Sequence, residues 1–215
     1  MHSGKLITFE GLDGCGKSTQ LEKINNWLIQ QGCEVLKTKE PGGTRIGQQI
    51  RHILLNPEHK ELNPESELLL YLSDRIQHLK ETILPAKAQG KMVLCDRFHD
   101  STVVYQGYGR GIDLRSIESI ISYSIKPYLP DLTFLLTIPP ETVAHRLDQR
   151  DEQFVKDRLD MESQDFFERA ANGYHELASA EPERFVCLNG EQEVEVIHQQ
   201  IIAVIQQRFE IGFKS

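Results

Sequence analysis

The chain has 215 residues, a formal net charge of −8 and 39% hydrophobic residues, a balance that suits one globular domain (1–215) with a real core and speaks against disorder. The acidic surplus argues against a long nucleic acid as the main partner, because phosphate backbones recruit basic surfaces. No run of about 18 apolar residues offers a membrane span and the N-terminal MHSGKLITFEG lacks the apolar centre of a signal peptide, so a cytoplasmic protein without membrane or nucleic-acid partners is expected.

In chain order, Lys5–Glu10 is a short apolar run that ends at a glycine-rich loop. A helical pattern through Leu21, Ile24 and Leu28 follows and stops at Gly32. Cys33–Lys39 reads as a second strand, Glu40–Thr44 (EPGGT) as a turn, Gly47–Leu55 as a short helix and about Glu65–Gln89 as a long one. Met92–Asp96 and Asp131–Ile138 are apolar enough for strands buried on both faces, as a parallel sheet requires, and Arg184–Leu188 reads as the last strand. Helical stretches lie near Asp113–Lys126, Pro140–Gln149 and Leu159–Ala180, and a closing helix carries the stripe Val194, Ile197, Ile201, Val204, Arg208. This alternation predicts an α/β fold, a doubly wound parallel five-stranded sheet with helices on both faces. The four cysteines form no C-x-x-C pair and the eight histidines show no ligand spacing, which argues against disulfides or zinc.

The loop after the first strand fits G-x-x-x-x-G-K-S/T as Gly11, Gly16, Lys17 and Ser18. Placed between strand and helix, such a P-loop cradles phosphates with backbone N–H groups and the helix N-terminus. The expected ATP contacts are Gly11, Leu12, Asp13, Gly14, Cys15, Gly16, Lys17, Ser18 and Thr19, with Lys17 on the terminal phosphates and Ser18 on Mg²⁺. A solvent-facing Cys15 thiol would make alkylation block activity, with ATP protecting. No N-K-x-D motif marks a guanine switch.

Asp96 ends a buried strand, where its carboxylate can reach Mg²⁺ through water, and Arg97 follows at the carboxyl edge where ligands bind in open α/β sheets. The run Asp96, Arg97, Phe98, Ser101, Thr102, Tyr105, Gln106 resembles the signature of the thymidylate kinases. EPGGT with Arg51 downstream, and SDRIQH at Ser73–His78, resemble that family's other two motifs in order and spacing. The resemblance extends from about Lys5 to Arg169. On the long helix Leu69, Leu72, Ile76, Leu79 and Ile83 form one apolar stripe, read as core or subunit contact. Tyr71 and Arg75, four apart, share a neighbouring face where a ring can stack on a base while a guanidinium donates to a carbonyl. The resemblance implies that this pair grips thymine, that Thr102 faces the pyrimidine, and that Tyr105 crowds the sugar. It also implies a dTMP site completed by Pro41, Arg51, Arg97, Gln106 and Asp13, with Arg97 clamping the acceptor phosphate, and a homodimer.

The acceptor that the resemblance implies is a phosphate monoester, mostly dianionic at pH 7 and already nucleophilic, so no general base is needed. Catalysis is then positioning plus positive charge, from Lys17, Mg²⁺ and arginines. The variable P-loop positions Leu12, Asp13 and Cys15 carry no positive charge, which sends the search to the charged segment His145–Arg158. It holds Arg146, Arg150, Lys156 and Arg158 and is similar to the lid of the bacterial thymidylate kinases, with wider spacing and interleaved acids; Arg150 is the first candidate. The activity this implies is ATP-dependent phosphorylation of dTMP to dTDP with Mg²⁺ as cofactor, Lys17, Arg97, Asp13 and Arg150 as catalytic residues and Ser18 and Asp96 at the metal. A kinase of another pyrimidine nucleotide or a deoxynucleoside is the alternative, and a P-loop regulatory switch the reading from another class.

Overall fold

The computed structural model describes residues 4–148 and 156–209. Five parallel strands, β1 (Lys5–Glu10), β2 (Val35–Lys39), β3 (Met92–Asp96), β4 (Leu132–Thr137) and β5 (Phe185–Asn189), form one sheet in the order β2-β3-β1-β4-β5. The expected doubly wound sheet is present. Alternation along the strands separates two cores. Ile7, Phe9 and Leu94 pack with α1 (Lys17–Gln30), while Leu6, Val93 and Cys95 face the layer that contains α3 (Pro64–His78). The other helices include α2 (Arg45–Leu55), α4 (Leu84–Ala88), α5 (His99–Thr102), α6 (Leu114–Ser124), α7 (Pro140–Asp148), α8 (Gln164–Ala180) and α9 (Val194–Phe209).

The chain leaves β1 toward β2 and leaves β3 toward β4, in opposite directions across the sheet. The crevice at the carboxyl ends of β1 and β3 is therefore the place where such a sheet binds ligands. The P-loop follows β1 and Arg97 follows β3, so both open into it.

Two helices differ from expectation for physical reasons. The long helix is broken by a π turn at Leu79–Ile83, where the Leu84 N–H reaches the Leu79 carbonyl. Pro85 follows immediately; it lacks an N–H and its ring would collide with a carbonyl one turn back, and the widened turn relieves that conflict. A second π turn, Val103–Gly109, continues α5 and carries Tyr105 and Gln106. The helix expected from Leu159 starts at Gln164, because the Ser163 side chain accepts from the Phe166 N–H and caps it there.

The apolar stripe also needs correction. Leu72, Leu79 and Ile83 are core, but Leu69 is 57% exposed. The buried face of α3 is instead rotated toward Glu67, Leu68, Tyr71, Asp74, Arg75 and His78, so the residues read as lying beside the stripe are themselves inside.

Candidate active site

Two cavities meet at the carboxyl end of the sheet. The larger, about 780 Å³, is lined by Gly14, Gly16, Lys17, Ser18, Thr19 and Asp96 among others. Backbone geometry sets this side: Gly11 has φ 134°, and a Cβ there would lie 2.2 Å from the Leu136 carbonyl oxygen. Only glycine allows that approach. Lys17 donates from Nζ to the Gly11 and Leu12 carbonyls at 3.0 and 2.9 Å, folded over the loop. Leu12 and Cys15 are 3% and 1% exposed with side chains in the core, so only their backbone can meet a phosphate and the expectation of an alkylatable Cys15 is withdrawn.

Ser18 Oγ donates to Asp96 Oδ2 at 2.7 Å, which brings the two residues expected at the metal into contact. Among the described residues no group of three or more His, Cys, Asp or Glu is arranged to hold a metal by itself. A hydroxyl and one carboxylate beside a phosphate cradle fit Mg²⁺, which keeps waters and substrate oxygens in its shell rather than a protein cage.

The smaller cavity, about 90 Å³, is lined by Pro41, Tyr71, Arg75, Thr102, Tyr105 and Gln106 among others, so the residues expected at dTMP converge there. Arg75 is 1% exposed and tied on three sides: Nε to Glu40 Oε2 at 2.6 Å, Nη1 to Thr102 Oγ1 at 2.7 Å, Nη2 to the Phe98 carbonyl at 2.9 Å. Glu40 Oε1 accepts from His78 Nδ1 at 2.9 Å, and the far nitrogen of that ring lies 2.7 Å from Thr38 Oγ1. Burial works to raise the Glu40 pKa, but the Arg75 charge and the His78 hydrogen bond hold it below the ordinary carboxylate range. Burial and the Glu40 charge push neighbouring Asp74 up to about 6, against the Gly42 N–H bonded to its Oδ1. Arg51 donates to the Pro41 carbonyl at 3.0 Å.

Arg97 and Asp13 stand where the cavities join, each lining both. Arg97 has φ 68°, rare for a side chain with a Cβ. Its guanidinium meets Asp13 at 2.9 Å, Ser101 Oγ at 3.1 Å, and the Tyr105 and Tyr174 hydroxyls at 3.2 Å each. Glu10 underlies this turn. Fully buried at the end of β1, it accepts from the Phe98 N–H at 2.7 Å, Ser101 Oγ at 2.6 Å and the Tyr174 hydroxyl at 2.8 Å. Burial, aided by the Asp100 charge and opposed by Arg97, pushes its pKa up to about 7.

These contacts set two cavities side by side, one bordered by the glycine loop and Lys17, the other by Arg75, with Arg51 and Arg97 at the join. A model of the family described as thymidylate kinase matches residues 9–201. The chain belongs to the thymidylate kinase family. It is 42% identical over 204 residues to the thymidylate kinase of Thermoanaerobacter sp. (strain X514), covering 95% of this chain and 98% of that one. It is 41% identical over 212 residues to that of Pelotomaculum thermopropionicum, covering 99% and 97%. Its fold matches the crystal structure of thymidylate kinase from Ehrlichia chaffeensis with a TM-score of 0.78 at 30% identity, over 96% of this chain and all of that one.

The expected lid divides. Arg150 lies outside the described residues. Arg158 is committed elsewhere, its Nε to the Leu54 carbonyl at 2.9 Å and its Nη2 to Glu67, so it is an anchor and not a source of free charge. Arg146 reaches back to the P-loop, donating to the Gly14 carbonyl at 3.0 Å and the Gly190 carbonyl at 3.2 Å. Sequence reasoning had singled out neither Glu10 nor Glu67 and had treated Glu40 only as part of a motif. The one available signal was a charge inside or next to an apolar run, as in ITFEG.

Proposed function

We propose that this chain transfers the γ-phosphoryl group of ATP to the 5′-phosphate of dTMP, giving dTDP. The observation that carries the reading is Arg97, a buried-edge arginine shared by a P-loop cavity and a cavity that holds an aromatic ring and an arginine for a base. Gly11–Thr19 hold the ATP phosphates through backbone N–H groups, and Lys17 leaves the Gly11 and Leu12 carbonyls for the phosphate oxygens. Tyr71 stacks on thymine, Arg75 donates to its carbonyl, and Thr102, Tyr105, Gln106 and Pro41 close the pocket around base and sugar. Arg97 and Arg51 clamp the acceptor phosphate. Asp13, bonded to Arg97, orients that arginine and the acceptor sugar.

The acceptor phosphate is the nucleophile and carries its own charge, so no side chain has to remove a proton. What the residues supply is alignment and neutralisation. Ser18 and Asp96 would hold Mg²⁺, which supplies positive charge at the phosphates of the donor. Arg150, in the lid segment, supplies the remaining charge at the transferring group. Arg146, lying against Gly14 and Gly190, faces the nucleoside end of the donor.

The α2 and α3 surfaces leave Ile46, Ile53 and Leu69 exposed at 47%, 40% and 57%, and this is the face on which a second copy would dock in a cytoplasmic homodimer. A coupled ADP-release assay with ATP, Mg²⁺ and a panel of dTMP, dUMP, dCMP, dGMP and thymidine tests the activity. ADP release that depends on dTMP supports it. Release independent of any acceptor, or a preference for thymidine, overturns it.

A further inference from the structure

Arg75 and Gln106 both line the acceptor cavity. A guanidinium is a donor in every orientation, whereas a glutamine amide turned by half a rotation offers either a donor or an acceptor. The ambiguity is removed from outside the cavity, by Glu67.

Glu67 is fully buried on α3. Its Oε1 accepts from Gln106 Nε2 at 2.8 Å and Arg110 Nε at 3.2 Å, and its Oε2 from Arg110 Nη2 at 3.1 Å and from Arg158. Burial works to raise its pKa, but the hydrogen bond and charge of Arg110, then Gln106 and Arg158, hold it below the ordinary range. An ionised carboxylate only accepts, so it selects the amide nitrogen of Gln106 and leaves the amide oxygen for the cavity.

We propose that Glu67 is a positioning residue for base choice: it fixes Gln106 as an acceptor beside the donor Arg75, and that pair fits a pyrimidine with a 4-carbonyl and an N3 hydrogen. Thymine and uracil match this polarity. Cytosine, with a 4-amino group and a bare N3, reverses both members and leaves buried groups unpaired. The inference rests on the acceptor being a pyrimidine nucleotide.

The test measures kcat and KM for dTMP, dUMP and dCMP with the full chain and two variants. In Glu67→Gln the new amide can donate to Gln106, freeing its nitrogen for the cavity. In Glu67→Asp the carboxylate keeps its charge opposite Arg110 and Arg158 but withdraws from Gln106. Each should lower the dTMP to dCMP ratio of kcat/KM by about tenfold or more, through KM, with dUMP moving alongside dTMP. A purely structural role would weaken all three substrates together and leave the ratio alone. An unchanged ratio in whichever variant retains the wild-type circular dichroism overturns the inference, while a wild-type chain inert toward dTMP overturns the function on which it rests.

Discussion

The acceptor and donor cavities share Asp13, Glu40, Arg51, Arg97 and Asp157 along a common edge, yet their remaining walls are held in different ways. On the acceptor side three polar wall residues are pinned by buried partners: Arg75 by Glu40, Glu40 by His78, Gln106 by Glu67. On the donor side the binding groups are backbone N–H donors, one lysine resting on carbonyls and a serine–aspartate pair. On the proposed assignment, selectivity is built into the fold at the acceptor cavity and a generic phosphate grip at the donor cavity. The cost of that arrangement falls on burying charges, which is tolerable only while each stays paired.

Removing Arg97 should damage both sides at once. Arg97→Ala is expected to lower kcat/KM for dTMP by about 10³-fold, and initial-rate kinetics showing less than a tenfold loss would detach the arginine from the acceptor phosphate. Arg75→Met should separate the two sides, because Arg75 lines the acceptor cavity and not the donor cavity. It leaves Glu40 buried without its arginine, costing about 3 kcal/mol in urea unfolding and raising the dTMP KM, while the ATP KM stays at the wild-type value; parallel changes in both KM values would erase the distinction drawn above. Arg150→Ala is expected to cut kcat about tenfold or more with little change in the ATP KM, and a wild-type kcat would remove the lid from catalysis.

A subtler effect comes from Glu10, whose pKa rises from 4.5 to about 7 on folding. The folded chain binds a proton that the unfolded chain has released, so this residue's contribution is complete below pH about 4.5 and is lost as pH climbs through about 7. Thermal melts of Glu10→Gln, neutral throughout, should therefore gain on wild type across that window, and a constant difference would contradict the burial argument. The smallest effect is a null: a thiol reagent should label exposed Cys187 and spare buried Cys15, with no loss of activity that ATP prevents.

Local order was the legible part of this molecule. The P-loop, the strand ends and the Tyr71–Arg75 face could be found because each depends on spacing within a few residues. Glu40, Glu67 and Glu10 could not, since a glutamate reads as solvent-facing until a partner from a distant segment appears, such as Arg75 for Glu40 or Tyr174 for Glu10. The rotated face of α3 has the same origin: periodicity counts apolar residues, and this helix buries a tyrosine, an arginine, a histidine and two acids. The π turn before Pro85 shows a further limit, because a proline announces a conflict without saying how the backbone will resolve it.

The pairing of β1 with β3 sets Phe9 opposite Asp96, and the Arg97 N–H closes the ladder on the Phe9 carbonyl at 3.0 Å. That register works as a ruler between donor and acceptor. One residue inserted after Glu10 or Asp96 would shift one nucleotide by about 3.3 Å, as long as the whole gap that reacting atoms must close. Such a chain would put the two nucleotides out of step, so the spacing of two strand ends is as much a part of the chemistry as any charged group.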